Sequence, residues 1–385
     1  MAIIRYLHLG LTAACNLNCK HCFIKEKDSK ELSFEKAIAF IDVLEKQGLT
    51  HIYYTYGEPL LYHRLFEFSK NIRLKGIYQV LMTNGTQINY EVAQKIAASG
   101  INRVMVSIDS SIEKKHDMNR GKQGSFGLAV QAIQLLKEQK VNVGIASTIT
   151  KQNYLELAAI EKLAQENQIQ YISFLACREQ NRIACPLEKE YIDFVLNSII
   201  ENKQYTFHDL RLIPYIKSWY KNNRITERQC AAAISANSCC ANQTLTLAPN
   251  GDIFTCDLID HTPIGNVYNI DLNDFALSDL LRKTNMKGCS IVSLIVGNPG
   301  DTIEDLEHTS KFIRKIQPTL ATFNTIKVYP GTPLYDNPDQ YGILAEDMMW
   351  FENPDWNKRP MIYTKDLSPE QIAFYSKKMM VDMLI

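Results

Sequence analysis

Three cysteines stand within eight residues, Cys15-Asn16-Leu17-Asn18-Cys19-Lys20-His21-Cys22, spaced C-x3-C-x2-C. Thiolates gathered on one short loop are ligands for soft metals. Each of the three can take one iron of a cubane [4Fe–4S] cluster, which leaves the fourth iron open to another ligand. The alternative is zinc, with His21 or a distant cysteine as the fourth ligand. A second group, Cys230, Cys239, Cys240, Cys256 and Cys289, follows far downstream. Cys240 and Cys256 flank Pro249-Asn250-Gly251, and Asn-Gly between alternating apolar residues is a hairpin signal that brings the two strand ends together. A four-cysteine zinc site would use a similar hairpin. Cys177 and Cys185 show no recognisable ligand spacing and read as small buried or surface thiols.

These residues need a scaffold, and the chain up to about residue 180 supplies one. Apolar, β-branched runs predict strands at Ile3–Leu11, His51–Tyr56, Tyr78–Met82, Arg103–Ile108, Val141–Thr148 and Gln170–Leu175. Amphipathic patterns between them predict helices over Ser33–Gln47, Leu61–Leu74, Tyr90–Ser99, Phe126–Glu138 and Tyr154–Glu166. Six such units imply an α/β fold with a parallel sheet and right-handed crossovers. Ligands bind such sheets at the carboxyl ends of the strands. The cysteine loop lies at one such end, Gly57-Glu58-Pro59 at the second, Asn84 at the third, Ser107 at the fourth and Thr148 at the fifth. Arg120 lies between the fourth and fifth of these strands, and a guanidinium can donate two parallel hydrogen bonds.

The 385 residues exceed one ordinary domain, and 46% are hydrophobic, enough for a sizeable core. Lys+Arg and Asp+Glu are 42 each, so no global charge draws the chain to nucleic acid or to a membrane. No stretch approaches the ~18 apolar residues of a membrane span, and the N-terminus has no signal pattern. Ten cysteines, several at metal-ligand spacing, fit a reducing compartment, and the expected location is cytoplasmic.

The Cys15–Cys22 loop followed by Phe23 resembles the signature of the radical S-adenosylmethionine (AdoMet) enzymes. His51 to Pro59 resembles that family's second strand with its Gly-Gly-Glu-Pro end, Tyr56 standing in place of the first glycine. The resemblance implies a partial (β/α)6 TIM-like barrel over residues 1–229 and an AdoMet-binding [4Fe–4S] cluster on Cys15, Cys19 and Cys22. It implies AdoMet contacts at Tyr56, Gly57, Glu58, Pro59, Asn84, Ser107, Arg120 and Thr148, with Arg120 on the AdoMet carboxylate. A flavodoxin- or ferredoxin-type donor would supply electrons. Residues 230–289 resemble the SPASM/twitch extensions of the family, which implies one auxiliary [4Fe–4S] cluster on Cys240, Cys256 and Cys289, with Cys230 or Cys239 as fourth ligand. Asp257 matches the aspartate of the Cys-Asp pair in the anaerobic sulfatase maturases and is the candidate catalytic base. Residues 290–385 resemble the closing βαβ of the cobalamin-associated and methylthiolating branch, as a fusion, a recombined sequence or strands that complete the barrel. Members with such extensions mostly modify peptides or proteins, so oxidation, crosslinking or epimerisation of a side chain is the expected reaction. A small-molecule radical enzyme, a methyl- or methylthio-transferase and a non-catalytic iron–sulfur or zinc scaffold are the alternatives.

Overall fold

A computed structural model describes residues 4–24, 27, 30–177, 184–237, 244–255, 262–272, 291–316, 320–325, 332–344 and 363–384. The chain divides into two compact units, one of residues 1–213 with 239–285 and one of residues 214–238 with 286–385.

The first unit is built on a ten-stranded sheet. In chain order its strands are β1 (Tyr6–Gly10), β2 (His51–Thr55), β3 (Tyr78–Thr83), β4 (Arg103–Ser107), β5 (Val143–Ile149), β6 (Ile172–Ala176), β7 (Tyr205–Phe207), β8 (Thr244–Leu247), β9 (Asp252–Phe254) and β10 (Gly265–Asn266). Their spatial order is β10-β9-β8-β1-β2-β3-β4-β5-β6-β7. β1 to β7 run parallel, each beside its predecessor. The helices between them are α1 (Phe34–Glu45), α2 (Leu65–Leu74), α3 (Tyr90–Ser99), α4 (Glu113–Arg120), α5 (Ser125–Glu138), α6 (Leu157–Glu166) and α7 (Lys189–Ile200). Local chemistry sets their ends. Ser33 Oγ accepts the Lys36 N–H at the start of α1, and left-handed Gly100 ends α3.

Alternation sorts the strand residues. Leu7, Leu9, Ile52, Tyr54, Val104 and Val106 are fully buried on one face, while His8, Tyr53 and Ser107 on the other are only half-buried. The linear strand order leaves the sheet open, a partial TIM-like barrel rather than a closed one. All six expected strands are present. The parallel run is longer than the sequence pattern implied, because β7 adds to one edge and β8 lies parallel to β1, pairing Tyr6 with Thr244.

The hairpin expected around Pro249-Asn250-Gly251 joins β8 to β9, with Thr246 opposite Phe254. Gly251 has φ +86° and donates its N–H to Ala248 O at 2.9 Å. A three-residue loop closing on a left-handed glycine is a standard hairpin solution.

In the second unit, β11 (Ile291–Val296) and β12 (Leu320–Thr325) pair in parallel as a two-stranded sheet of their own. This unit also contains α8 (Ile213–Lys221), α9 (Glu227–Asn237), α10 (Ile303–Ile316) and α11 (Pro369–Leu384). Val296, Leu306, Leu367, Ile372, Tyr375 and Met379 form its buried core. The expected βαβ is therefore present. Among the described residues its two strands pair only with each other. No helix of the described residues is long and apolar enough to cross a membrane.

Candidate functional site

The cysteine loop leaves the carboxyl end of β1 and is clamped from two sides. On one side Glu58 donates its N–H to Ala14 O at 2.7 Å. A Cβ on Gly57 would lie 2.2 Å from that same oxygen, so only glycine allows this approach. On the other side, Lys20 donates its N–H to Asn119 O at 2.9 Å, and a Cβ on Gly121 would lie 2.4 Å from Asn18 O. The loop is closed internally by Cys22 N–H to Cys19 O, and Lys27 Nζ donates to Leu17 O.

Glu58 is buried and works as an acceptor throughout. Its Oε1 takes the Thr83 hydroxyl at 2.7 Å and the Leu60 N–H at 3.2 Å, and its Oε2 takes the Asn84 N–H at 2.8 Å. Burial raises this carboxyl, with the three hydrogen bonds pulling against it. Asn84 in turn donates Nδ2 to Asn16 Oδ1 at 2.9 Å, and Asn16 donates to Thr86 Oγ1 at 2.8 Å. The end of β3 is thus tied both to the Gly57-Glu58-Pro59 turn and to the cysteine loop.

Tyr56 occupies φ +63°, the left-handed region that suits the glycine it replaces. Its ring meets Phe23 edge-on at 5.6 Å.

The far side of the loop faces a buried charge cluster. Arg120, at the end of α4, donates Nη2 to Asp109 Oδ1 at 2.8 Å. Its Nε stands 2.8 Å from Asp109 Oδ2, off the line of a good hydrogen bond, and its Nη1 lies 3.9 Å from Cys19 Sγ. Thr148 donates its N–H to Asp109 Oδ1 at 3.0 Å, and His21 Nδ1 is 3.7 Å from Oδ2. Burial alone would raise the Asp109 carboxyl; Arg120 and the facing histidines outweigh it and hold it below its ordinary value. Burial pushes His21 and His116 down to about 4, so both are neutral near pH 7. Burial also raises the Cys15 and Cys19 thiols. Ser107 is half-buried at the end of β4.

The donor set fits a cubane. Cys15, Cys19 and Cys22 are free, half-buried thiols on one loop, soft donors of which a cubane takes one per iron. His21 is turned toward Asp109, which argues against its service as a zinc ligand.

The residues brought together are Cys15, Cys19 and Cys22 with the Gly57-Glu58-Pro59 turn, Asn84, Arg120 and Thr148. Asp109, Asn16, Thr86 and Gly121 were not singled out from the sequence. Only the position of Asp109 just past a strand end hinted at a role. Cys230 is fully buried in α9 with Sγ 4.0 Å from Ile216 O, and burial pushes it up to about 11. Cys239, Cys240, Cys256, Asp257 and Cys289 lie outside the described residues.

Comparison with known proteins bears on this site directly. Residues 9–165 match the family model described as the Radical SAM superfamily. The Fe-coproporphyrin III synthase of Methanosarcina barkeri is 38% identical over 168 residues, 43% of this chain and 42% of that protein. The chain therefore spans less than half the length of this curated relative. Among solved structures, Streptococcus suis SuiB bound to precursor peptide SuiA aligns with a TM-score of 0.58 at 17% identity, covering 71% of this chain and 64% of SuiB. The enzyme anSMEcpe with bound AdoMet aligns at 0.53 and 19% identity, covering 73% of this chain and 80% of the other. The clamped cysteine loop, the strand-end turn beside it and the matched family model lead to one assignment: this chain carries a radical SAM domain, that of a superfamily of AdoMet- and [4Fe–4S]-dependent enzymes, over residues 9–165.

Proposed function

We propose that the chain cleaves AdoMet reductively and uses the product to take a hydrogen atom from a side chain of a peptide or protein. The observation that carries the reading is the clamp on the Cys15–Cys22 loop, with an arginine buried beside one of its sulfurs. A [4Fe–4S] cluster together with AdoMet, when bound, would supply radical chemistry given an electron from a flavodoxin- or ferredoxin-type donor. The chain's own groups do the rest. Cys15, Cys19 and Cys22 hold three irons, and the backbone of Tyr56, Gly57 and Glu58, followed by Pro59, faces the AdoMet amino group. Arg120 offers its remaining edge to the AdoMet carboxylate, with Ser107, Asn84 and Thr148 lining the strand ends. Phe23 packs edge-on against Tyr56 beside the loop.

The peptide substrate rests on the resemblance of residues 230–289 to the SPASM/twitch extensions and on SuiB, whose solved complex holds a precursor peptide. In this reading Cys240, Cys256 and Cys289, with Cys230 or Cys239, hold an auxiliary cluster that accepts the substrate electron. Asp257 removes a proton beside it. A second reading, a tetrapyrrole-type small molecule, is favoured by the identity to the Fe-coproporphyrin III synthase. The proposed location is cytoplasmic, with neither nucleic acid nor membrane as partner.

Anaerobic reconstitution with AdoMet and dithionite tests the chemistry. Deoxyadenosine should form, and changing Cys15, Cys19 and Cys22 together to Ala should abolish it. Undiminished cleavage by the triple variant would overturn the assignment. About four irons remaining in that variant, the content of one cubane, would support the auxiliary cluster, and none would refute it.

A further inference from the structure

We propose that Asp109 is a positioning residue whose carboxylate turns the Arg120 guanidinium toward Cys19 and balances its charge, and so sets both the grip on the AdoMet carboxylate and the reduction potential of the cluster. The inference rests on Cys15, Cys19 and Cys22 being the cluster ligands.

Asp109 is fully buried, just past β4. Its N–H is accepted by His116 Nδ1 at 3.2 Å, and its C=O accepts Asn153 Nδ2 at 2.7 Å. Asn153 Nδ2 also reaches Thr148 O at 2.9 Å, so the ends of β4 and β5 are locked together behind the carboxylate. Oδ1 receives the Thr148 N–H and Arg120 Nη2, and Oδ2 faces Arg120 Nε and His21 Nδ1.

A guanidinium presents two hydrogen-bonding edges. Asp109 occupies the edge formed by Nε and Nη2. The edge formed by Nη1 and Nη2 is left to point at the cysteine loop, with Nη1 3.9 Å from Cys19 Sγ. Buried ion pairs are weak contributors to stability, because desolvation offsets their attraction. A pair kept beside a cluster thiolate therefore calls for a role other than stability. Net charge and hydrogen bonds near the sulfurs are levers on cluster potential. A bare guanidinium at Cys19 would favour the reduced, more negative cluster and raise the potential. Asp109 behind it cancels most of that charge and keeps the cluster a strong reductant.

The test compares reconstituted wild type with Asp109→Asn and Arg120→Gln. Midpoint potential is read by EPR-monitored titration, and AdoMet affinity by equilibrium binding. Asp109→Asn should raise the midpoint, and Arg120→Gln should lower it. Both should weaken AdoMet binding about tenfold or more, the scale of one charge-assisted hydrogen bond. A purely structural Asp109 would change iron content or melting temperature and leave the midpoint of the retained cluster where it was, which overturns the proposal. If Asp109→Asn retains no cluster, Arg120→Gln decides alone, and an unmoved midpoint refutes the idea. Wild type that binds no iron at the triad would instead overturn the cluster reading on which the proposal stands.

Discussion

Gly57→Ala isolates the clamp on the cysteine loop. Its backbone is not in the left-handed region, so alanine carries no conformational penalty there. The obstacle is contact. The new Cβ would meet Ala14 O at 2.2 Å, Ala13 C at 2.8 Å and Thr12 O at 2.8 Å, all of them backbone atoms that cannot swing aside. Relief to an ordinary contact needs a shift of about 1 Å, enough to carry the 2.7 Å Glu58 N–H to Ala14 O bond out of hydrogen-bond range. Overpacking costs about 1–3 kcal/mol, and a buried donor left without its acceptor costs about 1–3 kcal/mol more. A total of about 2–6 kcal/mol lowers the melting temperature by roughly 4–24 °C in a unit of this size. Circular dichroism of the apo chain reads that loss, and iron and sulfide after anaerobic reconstitution read the displacement of Cys15. A variant that melts within about 2 °C of wild type and loads iron equally would show that the approach of the turn to the loop is not as drawn.

Two further outcomes follow from the same geometry. Asn84→Ala removes the donor to Asn16 Oδ1 and the acceptor of Thr86; it should cost about 1–3 kcal/mol and slow iron loading, and equal stability by denaturant titration would remove Asn84 from the bracing of the loop. Gly251→Ala puts a Cβ at φ +86° and 2.5 Å from the Tyr268 ring; about 1–3 kcal/mol of destabilisation is expected, and unchanged melting would mean that the hairpin turn tolerates a side chain.

The parts of this arrangement legible in the sequence are those governed by local pattern. Alternating apolar residues placed the starts of β2, β3 and β4 at His51, Tyr78 and Arg103, where the structure has them. Asn-Gly marked the β8–β9 turn for the same local reason. The rest depends on pairing between distant segments. β7 is three residues, Tyr-Thr-Phe, in a stretch rich in polar and aromatic residues, too short to show a period. β8 showed itself as a strand by its Thr-Leu-Thr-Leu alternation, but it is buried on both faces and nothing in those residues names β1 as its neighbour. Arg120 looked like a residue waiting for a carboxylate ligand, and it is already bound to one from its own chain. That pairing follows from α4 folding back under β4, which neither residue announces.

The replacement of glycine by Tyr56 shows how such a long-range fact governs a local departure. A tyrosine at φ +63° carries strain of about 1–3 kcal/mol, and persists only where packing returns comparable energy. The ring has two partners in position to do so. One is Phe23, edge-on at 5.6 Å, a geometry worth about 0.5–1.5 kcal/mol beyond burial. The other is Gly10 at the end of β1, where a Cβ would meet both the Tyr56 ring and Pro249 Cδ at 2.8 Å. Pro249 belongs to the β8–β9 turn, which reaches Gly10 because β8 lies parallel to β1. The strain at the Tyr56 turn, the bare α-carbon of Gly10 and the seat of the hairpin are thus one packing problem solved once. A glycine at position 56 would relax the backbone but leave the hairpin turn and the cysteine loop without the ring that joins them.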